Sequence, residues 1–358
     1  MLIKSLDFYV TNLDLKRPYS ISYKTVDYVE NVIVVLTLEN GITGLGAANP
    51  SPFVVGEGVK DTLNILNEWD KDLLLNRDIR EIYDCLYLVH STLKGHAGAR
   101  VALDIALHDA FCRWLEKPLV DFLGRRISGL PTSITIGIKD VGDTLEEAEE
   151  YIGRGFIYLK VKLGKSLEED LERLIKLRET YRDKIHLRID ANQGYNKEEL
   201  HRFYDKTKNL DLELIEQPLP VRDSAQMKTL PLEVRKLIAA DESLINAADA
   251  FDLAVLPFSC GVFNIKLMKC GGIVPAQEIA TVAGLGGNKL MWGCNDESVI
   301  SISAALHTAL SSPLTRYLDL DGSLDLAKDV VEDAFIIKNG IMSVTDRPGL
   351  GWKPGISI

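Results

Sequence analysis

Eight short apolar runs, at residues 133–136, 158–162, 186–190, 213–216, 237–240, 262–266, 289–292 and 315–319, recur at steps of 24 to 28 residues, with amphipathic stretches between them. Runs of this length, rich in branched and aromatic residues, suit buried strands better than core helices. The intervening stretches read as helices. After the second run, Leu167, Leu171, Leu174, Leu177 and Tyr181 form one apolar stripe, and Ser166 with Glu169 forms a capping-box pattern. Strand and helix alternating in this way predict an α/β chain with a modified (β/α)8 TIM barrel. The rival is an open sheet of the dinucleotide-binding type, but no GxGxxG follows any run.

The flanks differ. Residues 1–122 read as an α+β capping domain. A strand is expected at 2–10, and a hairpin joins 31–38 to 42–45 around Glu39-Asn40-Gly41. A helical region follows over 60–93. The next helix, 97–115, is apolar around much of its circumference (Val101, Leu103, Ile105, Leu107, Phe111, Trp114), so it is expected to be buried between two domains. The barrel is placed at 128–322. The tail, 324–358, leaves the strand–helix rhythm and carries a second hairpin around Asn339-Gly340. It is expected to return to the capping domain, which is then built from both ends of the chain.

The net charge of −11 over 358 residues argues against nucleic acid and against an anionic membrane surface as partners. The N-terminus reads as having no signal peptide, and no apolar run approaches the roughly 20 residues of a membrane span. Five cysteines are scattered without a CxxC pair, as expected of a reduced cytoplasmic protein.

Five charged residues stand at the C-terminal ends of five consecutive runs: Lys162, Asp190, Glu216, Asp241 and Lys266, at steps of 28, 26, 25 and 25. The steps are the barrel repeat itself, so all five share the rim where barrel enzymes keep their chemistry. Any one of these acids alone reads equally well as a helix cap or an ion-pair partner. Three converging carboxylates repel one another, and a hard divalent cation such as Mg2+ resolves the repulsion.

Lys162 on the second strand and Lys266 on the sixth are opposite in a ring of eight. They suit proton removal on one face of a carbon and delivery on the other. Lys160 shares a strand face with Lys162. Its charge is expected to lower the pKa of its neighbour, since a free lysine near about 10.4 is a poor base. Pairing of both lysines with the acids for stability alone is the other reading.

Together these residues resemble the enolase superfamily, muconate-lactonizing subgroup. The matching pieces are Lys160-Val161-Lys162, the acids Asp190, Glu216 and Asp241, Asn264-Ile265-Lys266, and the segment from Met291 to Ser298. The resemblance implies Mg2+ on the three acids, Lys162 and Lys266 as acid/base groups, and a homo-oligomer. Such sites pair a basic residue with Mg2+ to stabilise an enediolate. Tyr317-Leu318-Asp319-Leu320-Asp321-Gly322 looks like the Asp-x-Asp by which dipeptide epimerases hold a substrate ammonium, although both acids also suit a helix cap. Glu297 is expected to orient Lys266, and Thr135 to touch the peptide. Lys24, in a loop that closes over such sites, suits an acidic side chain or is simply solvated, whereas Asp296 suits a basic one. The resemblance therefore implies a dipeptide epimerase of basic or broad specificity. L-Ala-D/L-Glu epimerase, N-acylamino acid racemase and o-succinylbenzoate synthase are the alternatives on this scaffold.

Overall fold

The computed structural model describes residues 1–21, 24–164 and 166–354, and the side chains of 18–21, 24–26 and 354 are not described. The chain opens with an antiparallel meander of β1 (Ile3–Ile21), β2 (Lys24–Leu38) and β3 (Thr43–Ala48). The first strand runs well past the expected residue 10. Leu13 and Leu15 alternate with polar neighbours and bury against Val29 and Leu326, so their apolar partners come from distant segments. Pro18 falls where the register shifts, between Asp14 and Tyr19, which is where a strand tolerates proline.

The expected helical region 60–93 is two helices, Val59–Glu68 and Ile82–Thr92. Between them the chain pairs with the start of β1: Ile3 N–H donates to Arg77 O and Asn76 N–H to Ile3 O, both at 2.9 Å. Asp70 and Asp78 cap short 3-10 turns there, which diverts the backbone from a continuous helix.

The helix Ala97–Trp114 is buried from Ala97 to Cys112 except at Arg100. One side lies flat on β3. A Cβ at Gly46 would sit 1.8 Å from Ala102 O, and one at Gly44 2.4 Å from Ala106 O, so only glycine permits this approach. Its other side meets the helices that follow the sixth barrel strand.

After β4 (Leu130–Pro131), eight parallel strands follow in sequence order: β5 (Ile134–Ile136), β6 (Tyr158–Lys162), β7 (His186–Asp190), β8 (Leu212–Glu216), β9 (Ile238–Ala240), β10 (Val262–Ile265), β11 (Lys289–Gly293) and β12 (Thr315–Asp319). The seam between first and last strands closes through a parallel bridge from Thr132 to Leu318, with Ser133 N–H on Leu318 O at 2.9 Å. Low in the barrel, the Arg188 guanidinium lies between the Tyr158 and Tyr317 rings and donates to Glu213 at 2.7 Å and Leu318 O at 2.6 Å. Beyond the barrel, β13 (Val331–Glu332) pairs with β16 (Lys353–Pro354), and β14 (Phe335–Lys338) with β15 (Ile341–Val344).

The β14–β15 hairpin adds to β4 rather than to the N-terminal sheet. Contact with the N-terminal region comes from the chain on both sides of it: before the hairpin, Lys16 N–H donates to Asp325 O and Ala327 N–H to Asp14 O, both at 2.7 Å. Leu350 N–H and Trp352 Nε1–H donate to the two oxygens of Asp109 at 2.8 and 2.7 Å, and Leu45 N–H to Oδ2 at 2.9 Å. Among the described residues no helix is long and apolar enough to cross a membrane.

Asp109 thus joins β3, the buried helix and the C-terminal segment. Asp109→Ala strands three buried donors, each costing about 1–3 kcal/mol when unpaired. The urea unfolding midpoint of this variant is expected to fall sharply.

Candidate active site

Backbone register does the first part of the assembly. Lys162, Asp190 and Glu216 are direct neighbours across β6, β7 and β8. Asp241 is the residue after β9, and Lys266 the residue after β10. The loops that hold these ends are tightly tied. A Cβ at Gly164 would meet Ala191 O at 2.3 Å, so the loops after β6 and β7 cross in contact. Gln217 Oε1 accepts from Asp241 N–H, Ser243 N–H and Ser243 Oγ at 2.9 to 3.1 Å, linking the loops after β8 and β9.

The five rim residues and three others form one buried ionic cluster. Lys160 Nζ lies 2.7 Å from Asp319 Oδ2, 2.8 Å from Glu216 Oε2 and 3.2 Å from Asp190 Oδ2. Lys162 reaches Asp190 Oδ2 at 2.6 Å, and Lys266 reaches Asp241 Oδ2 at 2.8 Å. Lys269 takes the other side of Asp241. It donates to Oδ1, to the backbone oxygen at 2.5 Å and to Asn264 O at 3.2 Å. Asn264 Nδ2 donates to Glu216 Oε1 at 2.9 Å. Four ammonium groups thus face four carboxylates.

The titration of these groups follows from the pairing. Burial works against the charge on Lys160, but Asp319, Glu216 and Asp190 outweigh it and hold its pKa well above the ordinary lysine value. Lys160 is therefore a neutralised, permanently protonated group rather than a source of unbalanced positive field on Lys162. Burial likewise opposes ionisation of Asp190 and Asp241, and their lysines outweigh it and hold both below the carboxylate range. Glu216 goes the other way. Burial and the Asp190 charge push it up to about 8. Lys266 is raised, because Asp241 and Glu216 overcome the burial that disfavours its charge.

Asp190, Glu216 and Asp241 offer only carboxylate oxygens, the donor set of a hard divalent cation. Glu216 Oε2 is buried and accepts no aligned hydrogen bond, although the Lys160 ammonium is near. A buried carboxylate oxygen whose near partner is an ammonium fits a cation. Among the described residues no three acidic, His or Cys side chains are gathered ready for a metal, because each acid of the triad is closed on lysine. The residues present fit Mg2+ in chemistry and in neighbourhood.

The Asp-x-Asp pair divides. Asp319 is buried and spent inside the protein, on Lys160 and on Ser133 Oγ at 2.6 Å, rather than presented to a ligand. Asp321 is partly exposed and accepts from Thr135 N–H at 2.8 Å. Burial and the Asp319 charge push it up to about 7. Thr135 thus touches Asp321 directly. Glu297 accepts from Asn295 N–H at 2.9 Å, while Lys266 closes on Asp241. Burial lifts Glu297 to about 7. Asp296 lies on the same loop, and its backbone oxygen accepts from Asn49 of the N-terminal region at 2.7 Å. The side chain of Lys24 lies outside the described residues. Lys269 was absent from the sequence expectation. Its signal was a second lysine one helical turn after Lys266.

Residues 6–124 match the mandelate racemase/muconate lactonizing enzyme N-terminal domain, and residues 143–355 match the enolase C-terminal domain-like family. An L-Lys-D/L-Arg epimerase from Desulforapulum autotrophicum is 51% identical over 353 residues, 99% of either chain. The dipeptide epimerase from Methylococcus capsulatus, solved with Mg and the dipeptide L-Arg-D-Lys, is 47% identical and superposes with a TM-score of 0.95, covering 98% of this chain and 99% of its own. The substrate-liganded L-Ala-D/L-Glu epimerase from Bacillus subtilis is 30% identical, with a TM-score of 0.93 over 100% of both chains.

Gly293, at the end of β11, leaves the space through which Lys266 passes. A Cβ there would lie 3.0 Å from Lys266 Cε and 2.7 Å from Asn264 Oδ1. Gly293→Ala is expected to lower turnover by at least about tenfold through displacement of Lys266, with little change in thermal midpoint. Steady-state kinetics beside a melting curve checks it.

Proposed function

The chain belongs to the mandelate racemase/muconate lactonizing enzyme family of the enolase superfamily, and from that premise we propose that it is a Mg2+-dependent dipeptide epimerase. It inverts the α-carbon of the C-terminal residue and favours basic side chains. The observation that carries this reading is the placement of Lys162 and Lys266. They end the second and sixth of eight barrel strands, and each is closed on a different member of one carboxylate triad.

The reaction is a 1,1-proton transfer. One lysine takes the α-proton, and the electron pair of the broken C–H bond moves into the adjacent carboxylate to give an enediolate. The opposite lysine then gives its proton to the other face of the carbon, forming the new C–H bond. Either lysine is the base, according to the starting configuration. A base must be neutral, yet Lys266 in its ion pair with Asp241 holds its proton tightly. Asp190, Glu216 and Asp241 would hold Mg2+, which would supply positive charge to stabilise the charge that develops on the substrate carboxylate. Lys160 keeps its proton throughout and contributes fixed charge from below.

Asp321 accepts the substrate α-ammonium, with Asp319 acting behind it through Lys160. Asp296 at the β11 rim suits a cationic side chain. The relatives named for Lys and Arg substrates support this, as does the L-Arg-D-Lys ligand of the M. capsulatus enzyme. All five cysteines are free thiols, which supports a reducing, cytoplasmic setting.

Incubation with Mg2+ and a basic dipeptide in D2O is expected to place deuterium at the α-carbon of the second residue, with inversion. No exchange on basic, acidic or apolar dipeptides overturns the reading. A second prediction concerns pH. Asp321 binds an ammonium only when ionised, so its contribution is present above about 7 and lost as pH falls through that value. The ratio of kcat/KM for a dipeptide to that for its N-acylated form is expected to fall below pH 7. Asp321→Asn is expected to make that ratio small and independent of pH.

A further inference from the structure

Each of the two lysines is followed by a loop fastened to a fully buried aspartate, and the two aspartates come from different parts of the chain. Beyond Lys266 the chain forms the short helix Leu267–Cys270, turns at Gly271 and Gly272, and enters the helix Ile273–Gly286. Asp104, on the buried helix Ala97–Trp114 of the N-terminal region, caps that entry. Its Oδ1 accepts from Ile273 N–H at 2.8 Å and its Oδ2 from Val274 N–H at 3.3 Å. His90 Nε2 lies 2.7 Å from Oδ2, and His108 Nδ1 lies 3.2 Å from Oδ1. One turn earlier on the same helix, Arg100 donates to Cys270 O at 3.2 Å.

The fit is close. A Cβ at Gly272 would lie 2.5 Å from Asp104 Cγ, and one at Gly271 2.7 Å from Arg100 Nη2. Both glycines also have positive φ, 89° and 132°. The loop is therefore shaped to Arg100 and Asp104. Lys269 N–H donates to Lys266 O at 3.0 Å, which makes the lysine part of the turn being held.

On the opposite side, Asp170 in the helix Leu167–Tyr181 does the corresponding work for Lys162. It accepts from Gly164 N–H at 2.8 Å, from Tyr195 OH at 2.7 Å and from Arg173 at 2.7 Å. Arg173 in turn donates to the backbone oxygen of Lys162 itself at 3.1 Å.

We propose that Asp104 is a positioning residue for Lys266, acting from the N-terminal region through the loop 270–274, and that Asp170 is its separate counterpart for Lys162. A cap for one helix needs a single acceptor. The Asp104 carboxylate meets two backbone donors and the His90 imidazole, with His108, whose Nδ1 lies 2.8 Å from the Asp104 backbone oxygen, beside it, and Arg100 holds the same loop independently. The inference rests on the two-lysine reading above, and that reading supplies a test that loss of stability cannot imitate. Lys162 alone can remove an α-proton from one epimer and return a solvent deuteron to the same face. Lys266 alone can do so for the other epimer. Inversion needs both.

The experiment measures α-proton exchange in D2O with Mg2+, starting separately from each epimer of a basic dipeptide. Lys162→Ala and Lys266→Ala identify which epimer each lysine serves. Asp104→Asn is expected to slow exchange from the Lys266 epimer by about tenfold to a hundredfold and to leave the other within about threefold. Inversion falls in both directions. Asp170→Asn is expected to give the mirror pattern. Arg100→Met repeats the Asp104 asymmetry more weakly and serves if Asp104→Asn does not fold. Equal losses from both epimers, or no loss in either Asp104→Asn or Arg100→Met, overturn the positioning role. Absence of exchange in the unsubstituted enzyme overturns the two-lysine reading itself.

Discussion

The structure depends on charge neutralisation inside the barrel mouth. Lys160, Lys162, Lys266 and Lys269 meet Asp190, Glu216, Asp241 and Asp319 within hydrogen-bonding distance. A buried charge costs several kcal/mol unless it is paired, so no member of the set is separable from the rest. Burial works against the charge on Lys266, but Asp241 and Glu216 outweigh it and hold its proton.

Much of this was legible in the chain. The strand spacing was visible because a barrel repeats, and the five rim residues stood out as charges closing apolar runs. What escaped was whatever depended on a distant partner. The continuation of the first strand past residue 10 depends on Leu13 and Leu15, which Leu326 covers from the far end of the chain. Lys269 reads as a surface lysine on a short helix until Asp241, 28 residues away, takes its ammonium. The pairing of Asp319 with Lys160, 159 residues earlier, was not visible either. Asp321 lies two positions on and just outside the strand, where it accepts from Thr135 N–H. The side-chain preference is the least legible part, because Asp296 lies on a loop whose position is set by tertiary contacts such as that of Asn49.

The division of labour between the two parts of the chain follows from the same contacts. The barrel supplies acids and bases from strand ends, where register fixes them. Among the described residues the N-terminal region supplies no member of the ionic cluster. It reaches the loops after β10 and β11 through Asn49, Arg100 and Asp104. The flat packing of Gly44 and Gly46 on the Ala97–Trp114 helix sets where those side chains begin.

The barrel seam has its own consequence. Between β5 and β12 the backbone contributes one bridge, at Thr132 and Leu318. Side chains add the rest: Ser133 Oγ donates to Asp319 and Thr135 N–H to Asp321 at the edge itself, while Lys160 on β6 and Arg188 on β7 reach across β5 to Asp319 and Leu318 O. One of these fasteners, Lys160, is a member of the ionic cluster. The ring is therefore closed in part by the charges it encloses, and removing the Lys160 ammonium would loosen the wall as well as unbalance the cluster.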